Sequence, residues 1–121
     1  MLLARPIAAA LAALALGGCG GPGPASEARD GRVEIVLDDY LIRPQQLRAE
    51  AGELTFAVTN RGRLGHNFRV RDRRGEPVAI ATLLPGERAS ETVTLRRGEY
   101  KMLCTVANHE QLGMYGRLVV R

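Results

Sequence analysis

From Arg32 to Arg121 the apolar side chains recur at every second position in short runs, and no stretch repeats them at helical spacing. Val33, Ile35 and Leu37 alternate with Glu34, Val36 and Asp38, and Leu54, Phe56 and Val58 alternate with Thr55, Ala57 and Thr59. His66, Phe68 and Val70 share one parity against Asn67, Arg69 and Arg71. Successive side chains of a strand point to opposite faces, so this period means half-buried strands. Further short runs lie near 46–50, 78–83, 89–95, 99–104 and 116–121. Turn-forming pairs separate them: Ala51-Gly52, Asn60-Arg61-Gly62, Arg74-Gly75, Pro85-Gly86 and Arg97-Gly98. About eight strands packed so closely predict an all-β fold, an eight-stranded antiparallel β-sandwich. Only three Tyr and two Phe are present and no Trp, so the core must be built mainly from Val, Leu, Ile and Ala.

The N-terminus reads differently. Ile7–Leu16 is an unbroken run of Ile, Ala and Leu. It is too short for a bilayer span, which needs about 20 apolar residues, and it has no polar face to make an amphipathic helix. A secretory signal over residues 1–18 is the expectation. The run ends in Leu16-Gly17-Gly18-Cys19, which resembles the cleavage box of bacterial lipoproteins, with the Cys19 thiol as the atom that accepts the lipid. Residues 19–31, rich in Gly, Pro, Ala and Ser, read as a flexible tether, and residues 32–121 as the folded domain. The domain is therefore expected outside the cytoplasm, in the periplasm or on the outer cell surface, held on a membrane by its lipid. The net charge of +4 is modest, and no aromatic platform or helical motif accompanies the arginines, so nucleic-acid binding is not expected. Arg69, Arg71 and Arg73 share an outward parity, which reads first as a solvated face and second as a docking face for an acidic partner.

The chemistry is concentrated in few residues. With Cys19 lipidated, Cys104 has no disulfide partner in an oxidising compartment. A lone cysteine is often just a small buried hydrophobe. Here, however, Cys104, His109 and Met114 follow one another at spacings of five. Thiolate, imidazole and thioether are soft or borderline ligands that suit copper and fit magnesium or calcium badly. His66 lies on the apolar parity at the start of one strand, and Cys104 on the parity of Tyr100 and Met102 at the end of another. If those strands run antiparallel, both side chains reach the same pole of the core, and the 107–114 loop brings His109 and Met114 beside them.

The stretch from Val58 to Gly65-His66-Asn67-Phe68, the Cys104-to-Met114 loop and the closing Gly116-Arg117-Leu118-Val119-Val120 together resemble the cupredoxin family of small copper proteins. The likeness covers residues 32–121, and the loop is similar in length to that of rusticyanin and sulfocyanin. The resemblance implies a Greek-key sandwich binding one copper ion, with His66, Cys104 and His109 as trigonal ligands and Met114 as a weak axial one. It implies that Asn67 and Thr105 bond to each other across the ligand loops. It also implies electron exchange through the edge of His109, with Leu64, Leu84 and Leu112 as an apolar rim for a transient redox partner, a cytochrome or an oxidase or reductase. Two positions depart from the family pattern: Ala107-Asn108 stands where Pro-Gly is common, and Met102 where an aromatic residue is frequent.

Four protein ligands leave no position for a substrate, so the expected function is that of a monomeric one-electron carrier, not an enzyme. The alternative is a copper-holding or delivery lipoprotein using the same ligands. A metal-free sandwich with Cys104 as mere core is the third class. A dinuclear copper centre lacks its second loop cysteine, and cysteine-dependent hydrolysis lacks a cleft.

Overall fold

The computed structural model describes residues 24–121; the signal segment, Cys19 and residues 20–23 lie outside the described residues. The described residues form ten strands: β1 (Ser26–Glu27), β2 (Arg32–Asp38), β3 (Leu41–Arg43), β4 (Gln46–Ala49) and β5 (Gly52–Asn60), then β6 (His66–Asp72), β7 (Gly75–Leu83), β8 (Arg88–Leu95), β9 (Gly98–Leu103) and β10 (Tyr115–Val120). They form a six-stranded sheet in the order β1-β4-β10-β9-β6-β7 and a four-stranded sheet in the order β3-β2-β5-β8. Each run expected from the alternation is a strand. The two additional ones, β1 and β3, are too short to carry a period of their own.

Two expectations need correction. The sandwich is not purely antiparallel: β2 runs parallel to β5, and β4 runs parallel to both β1 and β10. The cause is the path of the chain between sheets. After the β2–β3 hairpin, β4 crosses to the other sheet, and β5 returns to lie beside β2 in the same direction. The tether also ends earlier than composition suggested. Ser26 and Glu27 pair with Leu47 and Arg48, the Ala28 N–H donates to the Arg48 carbonyl at 2.8 Å, and Ala28 packs on the core. A Gly- and Pro-rich composition predicts no core residues, but it does not forbid main-chain pairing along an open edge such as that of β4.

The core lies where the two inner faces meet. Val33, Ile35 and Leu37 of β2 and Leu54, Phe56 and Val58 of β5 face Phe68 and Val70 of β6, Met102 of β9 and Leu118 of β10, all at 1% exposure or less. The Phe56 and Phe68 rings, one from each sheet, lie 5.9 Å apart between centroids. Met102, where the family often has an aromatic side chain, is fully buried here, its flexible thioether filling the space beneath β10. On the outer face, Arg69 and Arg71 approach the same Glu76 carboxylate at 3.8 and 3.4 Å, with Arg71 exposed and Arg69 half-buried.

Strand direction then decides where the reactive residues lie. β6 and β9 are antiparallel neighbours, with Arg69 opposite Leu103 and Arg71 opposite Lys101. The start of β6 and the end of β9 therefore share one pole. β2 ends and β10 begins at that pole too, so the β2–β3 turn and the 104–114 loop both frame it.

Candidate metal centre

His66 opens β6 and is completely buried, as its parity with Phe68 and Val70 requires. Cys104 stands one residue beyond β9, also completely buried and without a disulfide among the described residues. The chain then leaves the sheet in a run of turns. The His109 N–H donates to Val106 O at 3.0 Å, Leu112 N–H to His109 O at 3.1 Å and Gly113 N–H to Glu110 O at 3.0 Å. The loop closes on itself through Met114, whose N–H donates to His109 O at 3.0 Å and whose carbonyl accepts the Cys104 N–H at 3.1 Å. Met114 is fully buried, and its main chain thus ties Cys104 and His109 into one unit.

Three donor atoms converge inside this frame. Nδ1 of His66 lies 3.1 Å from Nδ1 of His109, and Sγ of Cys104 lies 3.7 Å from the same His109 nitrogen. All three lie within 4.8 Å of one another. Donors that each stand about 2.0–2.3 Å from a common ion must be about 3–4 Å apart, so these residues fit one metal ion among them. The set of two imidazoles and one thiol suits copper and is too soft for magnesium or calcium. Burial lowers the His109 pKa from the usual imidazole value, and the neighbouring His66 lowers it further. A neutral imidazole is the form that binds metal.

The two ligand loops are stitched together. The Asn67 side-chain amide donates to Thr105 Oγ1 at 2.7 Å, and its carbonyl oxygen accepts the Thr105 N–H at 2.7 Å. The residue after His66 thereby grips the residue after Cys104, the pairing expected from the sequence. Leu64, Leu84 and Leu112 are exposed at 42%, 61% and 50%, respectively, whereas His109 is only 6% exposed. Leu64 precedes His66, Leu84 follows the Leu83 that pairs with His66, and Leu112 is bonded to the His109 carbonyl. All three therefore belong to loops at the same pole.

Three contributors escaped the sequence reading. Asn60 is fully buried: its amide donates to Leu64 O and Leu83 O, both at 2.8 Å, and its carbonyl oxygen accepts the Gly62 N–H at 2.9 Å. It fixes the loop leading into His66 against the end of β7. The other two are Asp39 and Tyr40, in the turn between β2 and β3. Asp39 Oδ1 lies 2.8 Å from His66 Nε2. The Tyr40 ring meets the His109 ring edge-on, with centroids 5.1 Å apart and planes at 70°. One signal was available: an acidic pair, Asp38-Asp39, in the turn that ends the first long strand at this pole.

A model of the cupredoxin-like domain matches residues 6–120, and this chain belongs to that family. Among solved structures it is similar to dithionite-reduced auracyanin from Roseiflexus castenholzii, with 21% identity, a TM-score of 0.69, and coverage of 81% of this chain and 99% of that one. It is similar to auracyanin A of Chloroflexus aurantiacus, described as a "blue" copper protein, at 19% identity and a TM-score of 0.66 over 79% of this chain and 100% of that one. Rusticyanin from Thiobacillus ferrooxidans matches at 16% identity and a TM-score of 0.64, over 83% of this chain and 86% of that one. No curated protein sequence matches. At these identities the structural likenesses establish the fold, an all-β cupredoxin sandwich of two mixed sheets.

Proposed function

We propose that this chain is a type 1 mononuclear copper protein that carries single electrons between extracytoplasmic redox partners, tethered to a membrane through lipid on Cys19. The observation that carries this reading is the convergence of His66 Nδ1, His109 Nδ1 and Cys104 Sγ at one buried pole of a cupredoxin sandwich. His66, Cys104 and His109 would hold one copper ion, and Met114, buried and bonded to both loop ligands through its main chain, would supply a fourth, weaker sulfur ligand. A bound copper ion supplies a one-electron couple.

The protein's own contribution is to keep the ligands still. Asn67, Thr105, Asn60 and the Met114 main chain fix both loops before any metal arrives, so that the ligand frame changes little between oxidation states. Full burial of Cys104 and Met114 excludes water and substrate, which favours an electron carrier over an oxidase and over a protein that hands its metal on. Of the four residues His109 alone is not completely buried, Leu64, Leu84 and Leu112 are exposed on loops at the same pole, and the His109 edge would be the route for an electron to a docked partner. An apolar rim suits brief, readily reversed contact with a cytochrome, an oxidase or a reductase, with the carrier itself a monomer. The segment from Cys19 to Ser26 reaches at most about 25 Å, which would confine that encounter to the membrane surface. Among the described residues no helix is long and apolar enough to cross a membrane.

The test is a visible and electron-paramagnetic-resonance titration of the metal-free domain with cupric ion. An intense thiolate-to-copper band saturating at one equivalent, and lost in Cys104→Ser, is the expected result. A colourless protein without stoichiometric copper binding would overturn the reading.

A further inference from the structure

The metal-facing nitrogen of His66 is Nδ1; what holds its other nitrogen is a carboxylate from an unrelated part of the chain. Asp39 Oδ1 lies 2.8 Å from His66 Nε2, 27 residues away in sequence. Asp39 is itself held in place: Oδ1 accepts the Arg63 N–H at 3.1 Å and the Leu64 N–H at 3.2 Å, and Oδ2 accepts the Arg63 N–H at 3.0 Å. These bonds turn the 63–64 backbone toward Asp39 and leave His66 Nε2 facing the same oxygen. Gly62 makes the arrangement possible. A Cβ at position 62 would stand 2.4 Å from Asp39 Oδ1 and 2.9 Å from His66 Nε2, so any side chain there would push the carboxylate away from the imidazole. The carboxylate cannot itself be a ligand of the same ion, because it lies on the opposite side of the imidazole ring from Nδ1.

We propose, building on the copper reading above, that Asp39 is a positioning residue for the metal centre: it fixes the His66 proton on Nε2 so that the Nδ1 lone pair faces the site, and its negative charge favours the oxidised over the reduced metal. An imidazole has two neutral tautomers, and only the one protonated at Nε2 presents a free Nδ1. An acceptor-only carboxylate at Nε2 selects that tautomer. The same charge, on the far side of a conjugated ring, stabilises a doubly charged ion more than a singly charged one, and so lowers the reduction potential. Because the Asp39 side chain is 28% exposed, solvent screens the effect to a few-fold change in the redox equilibrium. The neighbouring Tyr40 sets its ring against His109, so this one turn touches both imidazoles.

The experiment has two arms. In the first, long-range proton–nitrogen NMR of the metal-free domain at about pH 9, above the ordinary imidazole range, reads the His66 tautomer. Wild type is expected to carry the proton on Nε2, and Asp39→Ala and Gly62→Ala to show both tautomers. In the second, the copper-loaded potential of Asp39→Asn is compared with wild type. Asparagine keeps an oxygen at the Oδ1 position for His66, Arg63 and Leu64, and removes the charge together with the second Arg63 bond, that to Oδ2. The visible spectrum should persist while the redox equilibrium shifts at least about threefold toward the reduced form, which is about 28 mV upward at 59 mV per tenfold. A His66 proton on Nδ1 in wild type, or an Asp39→Asn potential equal to wild type, would overturn the proposal. Should copper fail to bind at all, the copper reading falls and the tautomer arm still decides the role of Asp39. If Asp39→Ala does not fold, Gly62→Ala and Asp39→Asn carry the two arms.

Discussion

Replacing Asn67 by alanine should loosen the two metal-binding loops from each other while leaving the sandwich intact. Asn67 is 5% exposed and makes two bonds of 2.7 Å to Thr105, one donated and one accepted. Each such bond is worth about 0.5–1.5 kcal/mol net, so the metal-free domain should lose about 2 kcal/mol. For a domain of this size that lowers the thermal midpoint by about 8–16 °C. Urea unfolding of the metal-free protein measures it directly: the midpoint should fall and the slope should stay constant, since the buried surface is unchanged. Thr105→Ala removes only the hydroxyl partner and should cost about half as much. The double variant should then be less destabilised than the sum of the two, by about 1 kcal/mol, because both changes remove one shared bond. Copper affinity should fall about tenfold, as happens when an outer partner that orients metal ligands is lost. Additive single-variant effects, or an Asn67→Ala midpoint equal to wild type, would refute the idea that this pair braces the site.

Phe56→Ala empties the contact between the sheets beside Phe68 and should cost about 3–5 kcal/mol, read as a large drop in the urea midpoint without a change in the ligand residues. Ala107 sits at a φ of 43°, in the left-handed region, where a Cβ is strained by about 1–2 kcal/mol. Ala107→Gly should therefore hold or raise the thermal midpoint despite the loosening effect of glycine on the unfolded chain, and Ala107→Val should lower it. Leu84, 61% exposed, should tolerate aspartate within about 0.5 kcal/mol of stability. The same Leu84→Asp change should slow electron self-exchange of the copper protein about tenfold, measured by NMR line broadening, because two like charges would meet when two apolar rims approach.

Most of the sandwich could be read from the chain because burial on one face imposes period two along β2, β4, β5, β8 and β10, and β6, β7 and β9 break it over only part of their length. Parity placed His66 on the face of Phe68 and Val70 at the start of one strand, and Cys104 on that of Tyr100 and Met102 at the end of another. The strand pairing β6–β9 then needed only to be antiparallel for the two to meet, and it is. What parity cannot report is which sheet a strand joins. Whether β5 returns beside β2 parallel or antiparallel depends on where β4 goes in between, a long-range choice with no local signature. Short pieces fared worst for the same reason: β1 and β3 are held by main-chain bonds along neighbouring edges, to which side-chain pattern is blind.

The candidate site divides along a similar line. Soft ligands announce themselves by residue type, and the five-residue spacing of Cys104, His109 and Met114 confines three of them to one loop. The groups that aim these ligands do not. Asn60, Asp39 and Tyr40 carry no such mark in sequence; Asp39 and Tyr40 act by meeting His66 and His109, and Asn60 by bonding the backbone of the loop before His66 to the end of β7, contacts that the fold alone creates. A glycine whose Cβ would collide with other side chains is the closest thing to a sequence trace of such contacts, and Gly62 is one. Its missing Cβ is the space in which the Asp39 carboxylate reaches the imidazole, so a substitution there tests a bond between two other residues.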